Sequence, residues 1–221
     1  MIKNKVKKVE KKPAKERKLE KELLGILLFI VFLAVVFVIA GVFFKSLNNF
    51  EYNGVKFTEE KLGNIPIFHH FYFLKGLDGK LIKYNFYLRN DPRELDKIPI
   101  EGEGTAFDRK SAVFISVDPK GIDQCKQGPL AIASLSSFLS DNQLSVLGGN
   151  LNFWDAGYKR QEWVTCENRP GNIVIEISEG NETRIDLNGK CYKIQVSSCQ
   201  ILEAVERLEL QIVVDATQAN T

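Results

Sequence analysis

Two aspartates, two histidines and four cysteines are the residues of this chain whose types and spacing could do chemistry. Asp118 closes the apolar run AVFISV, and Asp215 closes the run QIVV. If both runs are buried strands lying parallel and adjacent, their carboxylates meet at the carboxyl edge of a sheet, where α/β proteins commonly bind ligands. Such a pair could hold Mg²⁺ or act as acid and base in a hydrolysis. The plainer reading is that aspartate leaves strands because it starts turns, and Asp118-Pro119 has that form. His69 and His70 are adjacent and resemble metal ligands. On a strand, neighbours point to opposite faces, so the expectation is one packed and one partly exposed imidazole, with no shared metal.

Cys125, Cys166, Cys191 and Cys199 are spaced by 41, 25 and 8 residues and form no C-x-x-C. Neither a zinc knuckle nor a thioredoxin-type motif fits. Outside the cytoplasm the default is two disulfides. Three pairings are open: the local set Cys125–Cys166 with Cys191–Cys199, and two sets that cross-link the halves of the domain. A Cys191–Cys199 bridge would need a sharp bend near Val196, because the extended chain between them spans about 25 Å.

The remaining motifs point away from catalysis. There is no G-x-S-x-G, H-E-x-x-H, P-loop or G-x-G-x-x-G. Gly102-Glu103-Gly104 and Gly148-Gly149 are isolated and read as turns. Glu94, Asp96, Glu101 and Glu103 lack the spacing and central glycine of a calcium loop. No cofactor is called for, and a non-catalytic role is favoured over a membrane-tethered hydrolase or metal-dependent enzyme. Trp154, Tyr158 and Trp163 crowd the segment 150–171, where aromatics form either a contact surface or a satellite core.

The elements that must position these residues begin with a membrane segment. Leu23 to Phe44 is 22 residues without a charge. As a helix it would span about 33 Å, enough for a bilayer core. A signal peptide has a shorter apolar region, so an uncleaved anchor is expected. Residues 1–22 carry ten Lys/Arg against four Asp/Glu. That excess keeps the tail cytoplasmic and puts the rest of the chain outside the cell membrane, in a single pass. Pro13 suits a first helical turn, so Ala14 to Glu22 can run helically into the anchor. The tail lacks the interleaved aromatics of stacking nucleic-acid binders. Gly25 and Gly41 are too far apart for a G-x-x-x-G contact between anchors.

The organisation expected is a basic tail (1–22), a transmembrane helix (23–44), a polar stalk (45–54) and one outer domain (55–221). Residues 45–221 hold 20 Lys/Arg and 24 Asp/Glu, a mildly acidic balance that argues against nucleic acid. PIFHHFYFLKGLDGKLIKYNFYLRN reads as a β-hairpin turning at Asp78-Gly79, with Phe73 opposite Tyr84, Phe71 opposite Phe86 and His69 opposite Leu88. AVFISVD reads as a buried strand, GPLAIASLSSFLSDN as a helix and QLSVLGG as a strand, which together suggest a right-handed βαβ unit. Three strands follow in residues 172–198, two of them joined at Asn188-Gly189 with Ile185 opposite Tyr192. CQILEAVERLEL reads as a helix buried through Ile201, Val205 and Leu208, and QIVVDA as a closing strand. The composite is α/β: a mixed sheet of about five to seven strands with two β-hairpins and at least two helices. Asn181-Glu182-Thr183 is a glycosylation sequon on the outer side.

NFYLRNDPRELDKIPIEG and GNETRIDLNGKCYKIQVSSCQILEAVERL, set behind a basic tail and one anchor, resemble uncharacterised single-pass membrane proteins of archaea. The resemblance implies an outward-facing, cysteine-linked domain and carries no reaction or ligand with it. The partners expected are the lipid bilayer and a membrane or envelope protein.

Overall fold

The computed structural model describes residues 14–76, 79–104, 107 and 112–219. The chain divides into two units, Met1–Asn48 and Asn49–Thr221. The first holds α1 (Ala14–Leu47), in which Glu22–Gly41 is long and apolar enough to cross a membrane by length and composition. Ala14 to Glu22 runs helically into the apolar span, as expected; residues 1–13, which carry most of the basic tail, lie outside the described residues.

The second unit contains two sheets rather than one. A four-stranded antiparallel sheet is formed by β1 (Asn49–Tyr52), β2 (Val55–Leu62), β3 (Ile65–Lys75) and β4 (Leu81–Leu88), in chain order. Residues 45–54 are therefore no stalk: α1 runs to Leu47 and β1 pairs with β2 from Asn49 onward. The signal was Asn53-Gly54, both at positive φ (47° and 83°) between the paired residues Tyr52 and Val55. After the short α2 (Pro92–Leu95), capped by Asp91, comes β5 (Ile100–Gly104). The second sheet is mixed and six-stranded. Its order is β5, β9 (Arg184–Gly189), β10 (Cys191–Val196), β8 (Ile173–Glu179), β6 (Ala112–Val117) and β7 (Ser145–Asn150). Strands β6, β7, β8 and β10 run parallel, and β9 runs against β10.

Helices fill the space between the sheets. α4 (Gly128–Asp141) joins β6 to β7 and buries Ala131, Leu135, Phe138 and Leu139, the stripe its 3.6-residue period predicts. Phe138 meets Phe86 of the first sheet at 5.6 Å between ring centroids. α6 (Ile201–Gln218) packs on β2 on one side and on β9 and β10 on the other. Burial on both sides explains why QIVVDA continues the helix instead of forming a strand. An apolar run suits a central helix as well as a core strand, and periodicity alone does not separate the two.

The two main hairpins differ from their expected registers in an instructive way. In β9–β10, Ile185 faces Ile194 and Leu187 faces Tyr192, a shift of two residues, and the turn is Gly189-Lys190. In β3–β4, Tyr72 faces Tyr84 and His70 faces Phe86, a shift of one residue. Gly76 bonds to Lys80 across that loop; Leu77 and Asp78 lie outside the described residues. A two-residue slip preserves the faces, whereas a one-residue slip exchanges them. Phe68, His70 and Tyr72 thus share the inner face with Tyr84, Phe86 and Leu88, while Phe71 and Phe73 lie outside.

Candidate functional site

The parallel strands β6 and β7 end side by side at Val117 and Asn150. Asn150 is buried and organises the loop that follows. Its backbone N–H donates to Glu162 O at 2.9 Å, and its carbonyl accepts from Val164 N–H at 3.1 Å. Its side chain accepts from Asn152 N–H at 2.8 Å and donates to Gln161 Oε1 at 3.1 Å. Asn152 then caps α5 (Phe153–Lys159), accepting from Trp154 and Asp155 N–H at 3.0 and 3.2 Å. Trp163 Nε1 closes the loop by donating to Leu151 O at 3.2 Å.

This frame displays aromatic rings. Trp154 is 82% exposed, Tyr158 90%, Phe153 57% and Trp163 42%. Phe153 stands edge-on to Trp154 and to Trp163, with centroids 5.5 and 5.3 Å apart. Together with Gln161 the four rings line an open trough of about 580 Å³. The other flank of the loop borders a cleft of mixed lining, with Val117, Pro119 and Ile132 beside Asn150, Lys159 and Glu162, and Asp123 facing Lys159 at 4.0 Å. Of the two readings open for Trp154, Tyr158 and Trp163, these exposures favour the contact surface. Phe153 and the two asparagines that hold the rings were not singled out from sequence. Their signal is Asn152, a helix-capping residue, directly before a run of aromatics.

The aspartate pair is not assembled. Asp118 ends β6, donates its N–H to Ile177 O and accepts from Lys120 N–H at 3.1 Å as the cap of the short turn α3 (Pro119–Ile122). Gly121, at φ 87°, packs against Glu179 at the carboxyl end of β8: a Cβ placed on it would lie 2.1 Å from Glu179 Oε2. Asp215 sits on α6, not at a strand end, and accepts from Gln211 Nε2 at 2.7 Å. α6 starts at the carboxyl edge and carries Asp215 about 21 Å along its axis from Ile201. There its charge adds to burial, the larger cause, in pushing the Tyr192 phenol up to about 12.

All four cysteines are oxidised, as Cys125–Cys199 and Cys166–Cys191. The local set is thus replaced by one of the cross-linking sets. Ser198 and Cys199 take positive φ (52° and 59°) and turn the chain after β10 toward Cys125, across the carboxyl edge of the sheet. Cys191 opens β10 at the other end of that strand and reaches Cys166, in the segment leading into β8. Glu176 lies beside this second bridge and accepts the Cys166 N–H at 2.7 Å. Cys166, Glu176 and Cys191 bring possible metal-ligand atoms within 4.8 Å of one another. Metal binding needs thiolates, so that group and the disulfide are mutually exclusive.

The histidines lie on opposite faces, as strand geometry requires. His70 donates Nδ1–H to Lys56 O at 2.9 Å, and burial lowers its pKa. His69 stacks on Tyr87 at 4.7 Å and contacts Glu60 and Asn85 at 3.1 and 3.2 Å. Asn181 is exposed in the β8–β9 loop, while the sequon's Thr183 hydroxyl accepts from Ser197 N–H and donates to Gln200.

Comparison with protein-family models, characterised proteins and solved structures finds no match to this chain.

Proposed function

We propose that this protein is a single-pass membrane protein whose outer, disulfide-linked domain binds a protein partner of the cell envelope or of a membrane assembly. The N-terminus is cytoplasmic and residues 49–221 stand outside. A basic tail before a 20-residue apolar span supports that orientation, and two disulfides support an oxidising compartment. The resemblance to single-pass archaeal membrane proteins fits the same placement. The domain works by contact and not by catalysis.

The observation that carries the binding role is the exposure of four aromatic rings on one hydrogen-bonded loop. Large exposed apolar patches mark interaction sites. Aromatic side chains bring much contact area and lose little entropy when already held in place, so they dominate the energetics of interfaces. A photoreactive phenylalanine analogue at Tyr158, activated in intact cells, tests the reading. One stoichiometric adduct with a membrane or envelope protein is expected, lost on Trp154→Ala and absent when the analogue stands at Tyr87, on the first sheet. Monomer alone, or the same adducts from both positions, would sink it.

A further inference from the structure

One face of the second sheet lies under the segment that follows the aromatic loop. Phe114 of β6 and Val174 of β8 pack there against Val164, with Cys166 beside them. Cys191 pairs with Val174, and Lys193 with Glu176, across β10 and β8, so these four side chains share that face. Glu176 reaches two neighbours. Its Oε1 accepts the Cys166 N–H at 2.7 Å, and its Oε2 lies 3.7 Å from Lys193 Nζ.

Hydrogen bonds, as well as the disulfide, hold Cys166 over this face. Ser116 Oγ donates to Val164 O at 2.6 Å, and Val164 N–H donates to Asn150 O at 3.1 Å. Thr165 N–H donates to Asn168 Oδ1 at 2.8 Å. Opening the S–S bond therefore leaves two thiols facing one carboxylate. The Cα atoms of the two cysteines are 5.4 Å apart. Each sulfur swings on its own Cα–Cβ bond, so the pair can open to the spacing of about 3.8 Å that two sulfurs take around a tetrahedral zinc ion. A cavity of about 180 Å³ adjoins the bridge, lined by Cys166, Cys191, Asn172 and Lys190 among others, and gives room for a further ligand.

We propose that Cys166, Cys191 and Glu176, once the disulfide is reduced, form a three-ligand zinc site that holds the same segment on the sheet. A dithiol attacks one sulfur, becomes a disulfide itself and returns both cysteines as thiols; two electrons and two protons pass to the pair. Zn²⁺ then displaces the two thiol protons and binds both thiolates and one Glu176 oxygen, with water as the fourth ligand. Thiolates are soft donors, which favours zinc over magnesium or calcium. Two thiolates and a carboxylate leave the zinc group with one negative charge in excess, and Lys193 is placed to offset it. The bridge and the metal are thus alternative closures of one contact, chosen by redox state.

The test uses the full chain in detergent, reduced with a water-soluble phosphine, which offers no thiol to the metal. Zinc is added, the excess removed and the bound metal counted; cobalt(II) replaces zinc as a spectroscopic probe. The reduced chain is expected to bind one ion, with the intense sulfur-to-cobalt absorption of a tetrahedral thiolate site, and the oxidised chain none. Cys166→Ser with Cys191→Ser should abolish binding, and Cys125→Ser with Cys199→Ser should keep it. Glu176→Gln still accepts the Cys166 N–H but loses the anionic ligand, and should weaken binding by about tenfold or more. Alkylation of the reduced wild-type chain keeps the result independent of whether the serine variants fold: zinc should protect Cys166 and Cys191 and leave Cys125 and Cys199 reactive. A reduced chain without zinc overturns the inference, folded or not. Equal protection of all four cysteines overturns it too, and so does unchanged affinity in Glu176→Gln.

Discussion

Glu206 and Asn90 meet between the central helix and the exit from the first sheet. Glu206 Oε2 accepts from Asn90 N–H at 3.0 Å and Nδ2 at 2.8 Å, while Oε1 accepts from Arg89 N–H at 2.8 Å. The residue is buried, and burial raises its pKa more than these hydrogen bonds lower it. Both oxygens are used as acceptors, so an amide cannot replace them: one end of glutamine would turn N–H donors on N–H donors. Glu206→Gln should lose about 2 to 3 kcal/mol of stability, the scale of broken buried hydrogen bonds to a charged group. Urea unfolding with an unchanged slope would register this as a lower midpoint.

Glu209, one turn further on, should give the opposite result. It is buried, and among the described residues its one hydrogen-bond contact is the Ser134 hydroxyl, at 3.2 Å. Burial, and then the charge of Glu206, hold its carboxyl well above the ordinary range. The folded chain therefore keeps a proton that the unfolded chain releases near the ordinary carboxylate value. Stability from this group is full below that value and falls as pH rises through the raised one. Glu209→Gln, a neutral near-isostere, should flatten this slope and stabilise the protein at alkaline pH by about 1 to 3 kcal/mol. Unfolding free energies measured from acidic to alkaline pH would show the two curves converging on the acid side; parallel curves would refute the assignment.

The two disulfides close loops of different size, with separations of 74 and 25 residues. Loop entropy assigns about 4.4 kcal/mol to Cys125–Cys199 and about 3.5 kcal/mol to Cys166–Cys191. Paired serine substitutions should lower stability in that order. The first pair also frees the start of α6 from the turn after β6. Hydrogen exchange should then quicken at Ile201 and Leu202 in the first double variant and at Val174 and Tyr192 in the second.

The exposed rings divide by role. Trp154→Ala and Tyr158→Ala remove side chains that stand in solvent, so each should change stability by less than about 0.5 kcal/mol. Trp163 is half-buried and donates to Leu151 O. Trp163→Ala should lose about 1 to 2 kcal/mol. Partner capture should fall in all three, and only the last should also lower the melting temperature.

Local order was largely legible in the sequence. β6, α4 and β7 follow from one apolar run, one 3.6-residue stripe behind Pro129 and a second short run. The opposite placement of His69 and His70 follows from strand geometry alone. Asn53-Gly54 was equally legible, and reading it as stalk missed the first hairpin. The aromatic loop was visible as a concentration of tryptophan. What holds it, the hydrogen bonds of Asn150, arises from residues brought together only when Glu162 and Val164 return to the end of β7.

The amino-acid sequence by itself determined the apolar span, the basic tail, the period of most elements and which side chains share a face within a strand. These depend on neighbours a few residues apart. The tertiary structure decided the rest: the one-residue register of β3 against β4, the helical state of QIVVDA, the cysteine pairing and the separation of Asp118 from Asp215. Each depends on what lies across the core. A register is chosen by which face finds a helix to cover it, an apolar run becomes helix or strand according to the layers around it, and a cysteine finds its partner only where two turns bring their Cα atoms within 5.2 or 5.4 Å. None of those distances is encoded in residues that are neighbours in the chain.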